Sequence, residues 1–476
     1  MYAYYNICIL LQCQKNRRPP RPAPTPAPFT PAQLLNFFVQ LLPCSSLLKL
    51  PALQGKDFYD RLFSPLVTLW YLLFQRLNPD HTLDAALADA RSGGADRLNK
   101  KLSHGLVSDS TCSYSDARQR LPWHFLAQAL CLQAAKIIAL SPTVLWHGRV
   151  IALLDGSTIR LRPHRTIPKE FGGNGNQYGK PYWCLMRVVV CFCALCGAAL
   201  DCAMGSIHLS EQVLACQIIL RSTAKCLFIG DRNFGVFRVV QAAREAGQEL
   251  LLRMTDRRAR RVLGRALRAG EHEVAWEPTR QDQLEPGSSK EPVKGRLLVL
   301  KLQRPGFRSQ QLCLFTTLPN SAQFRLQELA RLYGLRWHIE LNLRYLKAQM
   351  DLVQLEAKSP DMARKEWLAG LLAYNLIRAA QLCAAVQNGV SPLTLSFSAV
   401  RRRLEDWLRQ FSRNPREALG QWAKTLQSMG RCRLPVRRKA RPNEPRAQRH
   451  LRLPYAPLFG SRAQARRKLK KYASKS

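Results

Sequence analysis

The sequence predicts an α/β protein with a helical region before the sheet and helices and a basic tail after it. Three observations support this prediction. Between residues 31 and 147, apolar residues recur at three-and-four spacing, which is the period of amphipathic helices. From Arg149 onward, short apolar runs alternate with helical stretches, as in a sheet covered by helices. Residues 431–476 hold 16 Lys or Arg against Glu444 alone, so they are poorly suited to a core.

The charge of the chain points to a polyanionic partner. Its 476 residues hold 73 Lys and Arg against 32 Asp and Glu, a formal net charge of +41. A chain of this length has room for a large core and two or three domains. Nucleic acid is the first candidate for the partner, and an anionic membrane surface is the second. We expect no membrane association, because no long basic amphipathic helix with an apolar anchoring face supports it.

Cysteine usage indicates a reducing compartment. The 15 cysteines are irregularly spaced and lie in apolar runs, as Cys191, Cys193 and Cys196 do. Neither a second Cys pair nor a His pair lies at zinc spacing, so we expect reduced, buried cysteines in a cytosolic protein. The first eighteen residues lack the basic start and the small-residue cleavage site of a signal peptide.

The part of the chain before the sheet consists of two segments that differ in composition. Residues 1–31 are expected to be a disordered leader and a Pro-rich linker: the first eighteen residues form the leader, or an extension beyond the functional start, and residues 18–31 form the linker. Residues 32–148 are expected to be a helical DNA-binding domain. A helix that starts at Ser113 or Ser115 would place two arginines near its start, where the helix dipole disfavours cations. A phosphate partner would relieve this, and a solvated surface helix would tolerate it.

Two aspartates follow apolar runs that are predicted as buried strands. Residues 150–154 precede Asp155, and the run KCLFIG precedes Asp231. Two more strands, joined near Gly197, and a helix are predicted between them. On its own, Asp155 could be a turn residue in Asp-Gly-Ser, and Asp231 could be a helix N-cap.

A third acidic residue lies in residues 331–350, which the periodicity predicts as one amphipathic helix. Its apolar stripe is Leu332, Leu335, Ile339, Leu343 and Leu346. Its polar stripe is Tyr333, Arg336, Glu340, Arg344 and Lys347. The polar stripe could be a solvated face with intrahelical ion pairs. However, two strand-end aspartates and one helix glutamate in a strongly basic chain form an arrangement that holds two divalent cations against a phosphate.

The polar stripe resembles a known motif. Its spacing, Tyr-x2-Arg-x3-Glu-x6-Lys, is similar to the Tyr-Arg-Glu-Lys motif of DDE transposases of bacterial insertion sequences. The runs VIALLDGSTIRL around Asp155 and FIGDRNFG around Asp231 also resemble that family and occur in the same order. The resemblance spans roughly residues 100–460. One departure is Asn233, where a small residue is more usual.

The resemblance implies a division of the remaining chain. Residues 149–390 would form a ribonuclease H-like catalytic domain with a β-rich insertion at about 257–317. A C-terminal helical region, 391–430, and the basic tail, 431–476, would follow. In the family, the insertion contributes to handling the DNA end. Trp276 in this segment could stack on a displaced base, but a place in the core is the more common use of a tryptophan.

The resemblance also implies an activity: cleavage of DNA at terminal inverted repeats and strand transfer, through a hairpin intermediate. The catalytic residues, which would also hold two Mg²⁺ or Mn²⁺ ions, are then Asp155, Asp231 and Glu340. The residues that would bind DNA phosphates are Tyr333, Arg336 and Lys347. The partners would be double-stranded DNA, as transposon ends and target, and a second copy in a homodimer, in the bacterial cytoplasm at the nucleoid. The alternatives are a non-catalytic DNA-binding remnant, against which the intact carboxylate set argues, and a metal-dependent nuclease without strand transfer.

Overall fold

The computed structural model describes most of the chain from residue 41 to residue 435. The described residues are 41–54, 62–78, 80–95, 98–102, 107–164, 166–173, 183–284, 287, 289–302, 310–320, 322–435, 461, 463–464 and 466–467. The predicted leader and linker, and most of the predicted basic tail, lie outside the described residues.

Helices precede the sheet, as the apolar periodicity predicts. Their bounds are α1 Cys44–Leu48, α2 Pro65–Leu77, α3 Leu83–Arg91, α4 Cys112–Arg120 and α5 Trp123–Ala139. The side chain of Ser64 accepts from the N–H of Val67 at the start of α2, and Thr82 accepts from Ala85 at the start of α3. These caps satisfy backbone donors that a helix start leaves without an intrahelical partner.

The predicted helix start at Ser113 or Ser115 is wrong. Helix α4 begins at Cys112, so Arg118 and Arg120 lie in its last turn and not in its first. The helix dipole favours cations at the C-terminal end. The two arginines therefore give no reason to expect a phosphate at the start of this helix.

Buried charges join these helices to a long helix near the end of the chain, α13 Pro360–Gln387. Glu366 of α13 pairs with Arg76 of α2 at 3.7 Å and with Arg118 of α4 at 3.4 Å. The neighbouring Lys365 is fully buried, and its Nζ donates to two carbonyls at the C-terminal end of α4, at 2.8 and 3.0 Å. Because buried charges are stable only when they are paired, these contacts fix α2 and α4 on α13.

Helix α13 is a core helix. Among the described helices, it alone is long and apolar enough to cross a bilayer by length and composition. Its most apolar 18-residue window is 94% buried inside the protein, where it packs against α2 and α5. Two further helices, α14 Phe397–Arg413 and α15 Pro415–Gly430, also pack against it.

Ten described strands form one sheet. The strand bounds are β1 Leu145–Trp146, β2 Arg149–Leu161, β3 Cys184–Cys193, β4 Ala199–Ser206, β5 Cys226–Gly230, β6 Glu249–Met254, β7 Gly270–Trp276, β8 Val293–Leu302, β9 Gln310–Thr316 and β10 Gln354–Leu355. The order along the main path is β4-β3-β2-β5-β6-β9-β8-β7, and β1 and β10 pair with β2. Strands β2, β5 and β6 are parallel, whereas β3 and β4 run antiparallel to their neighbours.

Helices cover this sheet, so the predicted mixed α/β arrangement is confirmed. Their bounds are α6 Ile167–Phe171, α7 Glu211–Arg221 and α8 Phe237–Glu245. Strands β3 and β4 are joined near Gly197, as predicted, and this glycine has the positive φ of 77° that the turn requires. The carboxyl ends of β2, β5 and β6 meet at one edge of the sheet because these strands are parallel.

The segment predicted as a β-rich insertion contains β7, β8 and β9, together with α9 Asp256–Leu263 and α10 Arg280–Gln283. The three strands pair antiparallel and extend the main sheet, because β9 pairs with β6. Trp276 is 1% exposed, and its ring packs edge-on against those of Phe237 and Phe315. Trp276 is therefore a core residue.

Candidate active site

Asp155 and Asp231 lie on neighbouring parallel strands. Strands β2 and β5 pair with Leu153 opposite Ile229, and two further steps along each chain reach the two aspartates. Asp231 directly follows β5, as predicted. Asp155 does not end its strand, since β2 stays paired with β3 as far as Leu161. The prediction of a strand that ends before Asp155 is therefore wrong, and what ends there is the pairing with β5.

The two carboxylates repel each other. Burial first, and the charge of Asp231 second, raise the pKa of Asp155 to about 7. The N–H of Gly156, 2.9 Å from Asp155 Oδ1, and the charge of Arg336 lower the same pKa. Partly buried like charges are unfavourable unless a cation or a proton neutralises them. This edge is therefore an electronegative point in a strongly basic chain.

Residues 331–350 are helical, but they do not form one helix. They comprise parts of α11 Leu326–Gly334, then α12 Trp337–Arg344 and a π-helical turn, Tyr345–Gln349. Between α11 and α12, the N–H groups of Leu335 and Arg336 donate to carbonyls only three residues back. Such bonds tighten the chain, so residues on the two sides of the break lose the common face of a straight helix. The prediction of a single helix is therefore wrong.

Two residues of the predicted motif lie near the aspartates, and a third, Glu340, pairs with one of them. Arg336 is 7% exposed, its Nη2 lies 3.3 Å from Glu340 Oε1, and its charge acts on Asp155. Tyr333 is fully buried, so burial raises its pKa to about 12, while the charge of Arg336 opposes the shift. The charge of Asp231 also acts on Tyr333. The phenol, the guanidinium and the two aspartates therefore share one neighbourhood, with the phenol on its buried side.

Lys347 lies on the π-helical turn that follows α12. It is half-buried, and burial first and the charge of Arg160 second lower its pKa. Arg160 is an exposed residue of β2, five positions after Asp155. Lys347 and Arg160 are thus two neighbouring cations near the part of β2 that follows Asp155. Phosphate binding by Lys347 stays a prediction.

Comparison with known proteins relates this arrangement to a domain family. Residues 146–376, which run from β1 into α13 and include all three predicted catalytic residues, match the transposase DDE domain. The chain is also 27% identical, over 331 residues, to the transposase InsG for insertion sequence element IS4 of Escherichia coli (strain K12). That match covers 68% of this chain and 73% of its relative. Over this domain, the chain is similar to the DDE transposases of insertion sequences.

Among solved structures, this chain is similar to the cryo-EM structure of a piggyBac transposase synaptic complex with hairpin DNA. The TM-score is 0.39 at 10% sequence identity, and the match covers 86% of this chain and 88% of the other.

The sequence does not reveal one acidic residue that the protein has at this edge. Glu211 opens α7, and its carboxylate lies against Gly156, where an added Cβ would come within 2.1 Å of Glu211 Cδ. Burial raises the pKa of Glu211, the charge of Arg187 lowers it, and Asp231 has a smaller raising effect. The only sequence signal is the pair Ser210-Glu211 at a helix start. Such a pair is ordinary for a first helical turn and does not indicate a site.

The carboxylates of the two aspartates fit a divalent cation. Asp155 and Asp231 offer carboxylate oxygens, which Mg²⁺ and Mn²⁺ prefer, at a point where their repulsion favours a positive charge. Among the described residues, no three His, Cys, Asp or Glu side chains converge closely enough to hold a metal ion together. Glu340 is paired with Arg336. The two aspartates are thus neighbours in the structure, whereas Glu340 is held by Arg336.

A buried arginine supports α12 from the core. Arg378 of α13 is 2% exposed, and its Nη2 donates to Asn342 Oδ1 at 2.5 Å. Its guanidinium carbon also lies 5.3 Å from the ring centroid of Tyr345 and 5.0 Å from that of Phe397. Aromatic faces and neutral oxygens therefore stabilise this charge. Because Asn342 lies two residues after Glu340, the contact fixes the helix that carries Glu340.

Proposed function

We propose that this chain is an active transposase: it binds the terminal inverted repeats of its insertion sequence, cleaves the DNA there and transfers the cut strand to a target. The observation that carries the proposal is the pair of aspartates on neighbouring parallel strands, with Arg336 beside them and Glu340 paired to Arg336. We include a ribonuclease H-like core in the proposal. The strand order supports this core: β4, β3 and β2 are antiparallel neighbours, and β5 and β6 follow, parallel to β2.

In this proposal, Asp155, Asp231 and Glu340 would hold two divalent ions, Mg²⁺ or Mn²⁺. When bound, such ions supply Lewis-acid stabilisation of the charge on the scissile phosphate and on the leaving oxygen. Arg336 changes partner: once Glu340 has left it, its guanidinium is available to a phosphate oxygen beside the aspartates. Tyr333 lies on the buried side of Arg336 and orients it, since the two side chains are close enough to hydrogen-bond.

A basic concavity on the insertion supports binding of the DNA backbone. It has a volume of about 750 Å³ and is lined by Arg260, Arg261, Gly264, Arg265, Ala266, Leu267 and Gln311. Its three arginines are exposed, and the ion pairs found between described residues do not include them. Helix α9, which carries two of them, begins two residues after β6 ends at the same edge as the aspartates. Clustered, exposed arginines of this kind are suited to phosphate contacts.

The test uses the purified full chain and a labelled duplex that carries the terminal repeat. We expect D155N, D231N and E340Q each to abolish Mg²⁺-dependent nicking, because each removes one carboxylate of the set. Binding without metal should stay within about threefold of wild type, since many distributed cations carry the affinity. The control is E273Q, which removes an exposed carboxylate of β7 and should cleave like wild type. Retained cleavage in a site variant would remove that residue from the site.

A second assay separates the proposed transposase from a nuclease without strand transfer. A pre-cleaved terminal-repeat duplex with a free 3′-hydroxyl is mixed with target DNA and Mg²⁺, and denaturing gels report joined strands and hairpin ends. Joining supports transposition, whereas nicking alone would make the chain a nuclease. We further propose that the transposase acts as a homodimer in the bacterial cytoplasm, at the nucleoid, because two DNA ends must be held together.

A further inference from the structure

We propose that Glu211 and Asn233 are positioning residues, which hold the carboxylate of Asp231 in place through hydrogen bonds from the first turn of α7. This inference rests on the proposed function, in which Asp231 is catalytic. It also gives a role to Asn233, the position at which the sequence departs from the family pattern.

The carboxylate of Asp231 is held by the backbone of its own loop. The N–H of Asn233 donates to Asp231 Oδ1 at 2.8 Å. That bond keeps its geometry only if the backbone at residue 233 stays in place. The loop is on the surface, where a chain segment needs further contacts to be fixed.

Two successive residues of α7 supply those contacts. Nδ2 of Asn233 donates to Glu211 Oε2 at 2.7 Å. Nε2 of Gln212 donates to Asn233 Oδ1 at 2.8 Å and to its backbone carbonyl at 3.1 Å. The amide of Asn233 thus has partners on both its oxygen and its nitrogen, and its backbone has another. A small residue at this position would have none of the side-chain bonds.

The same glutamate also touches the strand that carries Asp155. Its carboxylate lies against Gly156, where any side chain would collide with it. Helix α7 itself is fixed at this end, since the side chain of Ser210 accepts from the N–H of Val213. Glu211 therefore lies between the residue after Asp155 and the loop after Asp231, and the relative position of the two aspartates depends on it.

A positioning role requires a hydrogen-bond acceptor at residue 211 and not a negative charge. The amide oxygen of glutamine can accept the bond from Asn233 Nδ2, whereas alanine cannot. We therefore expect E211A and N233A to lower the single-turnover cleavage rate by about 10- to 100-fold, the usual cost of losing a partner of a metal ligand. E211Q should recover most of that loss.

The chain offers a matched control. Glu417 is an exposed residue in the first turn of α15, and its Oε2 accepts from Asn414 Nδ2 at 3.1 Å. It is thus the same kind of Glu–Asn pair, placed on a different helix. E417A should cleave like wild type.

Three measurements are made on each full-length variant: single-turnover cleavage of the terminal-repeat duplex in Mg²⁺, binding of that duplex without metal, and calorimetric titration of the DNA-free protein with Mn²⁺. We expect E211A and N233A to weaken Mn²⁺ binding along with cleavage and to leave DNA affinity unchanged. Melting temperatures show that the variants are folded. N233A changes an exposed side chain, so it keeps the test decisive if E211A does not fold.

Two outcomes would overturn the inference alone. In the first, E211A and N233A keep wild-type cleavage and wild-type Mn²⁺ binding. In the second, E211Q falls as far as E211A, which would mean that the charge of Glu211 matters and not its hydrogen bond. Failure of the proposed function looks different: wild-type protein would neither cleave the duplex nor bind Mn²⁺, and the inference would fall with it.

Discussion

Replacing Arg261 and Arg265 together by glutamine should flatten the salt dependence of DNA binding. Both side chains are exposed, and both line the basic concavity beside α9. Arg261 also lowers the pKa of its neighbour Arg258, after the larger effect of burial on that group. Like charges repel within this surface, and a row of phosphates would relieve the repulsion.

The magnitude follows from counterion release. Each phosphate contact contributes about 0.9 to the slope of log affinity against log salt for duplex DNA, so losing two contacts lowers the slope by about 1.8. When the salt is raised from 50 to 200 mM, the affinity of the wild type should therefore fall about 12-fold more than that of the variant. The wild type and the variant should therefore differ most at low salt and converge as salt increases.

The assay is fluorescence anisotropy of a labelled duplex without metal, over a series of salt concentrations, with both terminal-repeat and unrelated sequences. The control is R244Q/R409Q, which removes two arginines that already pair with Glu291 and Asp406. It has the same change in net charge, but we expect little change in slope. Equal slopes for R261Q/R265Q and wild type would refute the reasoning. An equal decrease of the slope in both double variants would mean that the effect comes from net charge alone.

Two further predictions concern the cations around the site and the tail. R336A and K347A should each slow single-turnover cleavage and hairpin formation without weakening the response to Mg²⁺, because these residues would contact phosphate; normal rates in both would make them structural residues only. Truncation after Pro435, which keeps the bond from the N–H of Ser396 to the carbonyl of Cys432, should weaken binding to all duplexes alike and lower the salt slope, because phosphate contacts carry no sequence information. A selective loss of terminal-repeat binding would assign recognition to the C-terminus.

Local sequence patterns correctly predict the elements whose structure depends on a single segment of the chain. The apolar run before Asp231 predicts β5 and its exit from the sheet. Asp155 lies inside β2 because β3 keeps pairing with that strand, and no local pattern shows where a neighbouring strand stops. The break after Gly334 is hidden because apolar residues keep a helical spacing on both sides of it. Glu211 reaches Gly156 across the fold, and only the three-dimensional packing brings the two together.

The buried charges on α13 have a consequence for how the protein is made. Arg118 and Glu366 are 248 residues apart in the chain, and Arg76 lies still further from the same glutamate. A ribosome releases the N-terminal part first, so both arginines leave it long before the acid that they meet in the folded protein. Helices α2 and α4 can form early, but their final packing waits for α13. A chain that ends before Glu366 therefore cannot form the ion pairs of Arg76 and Arg118 with this glutamate.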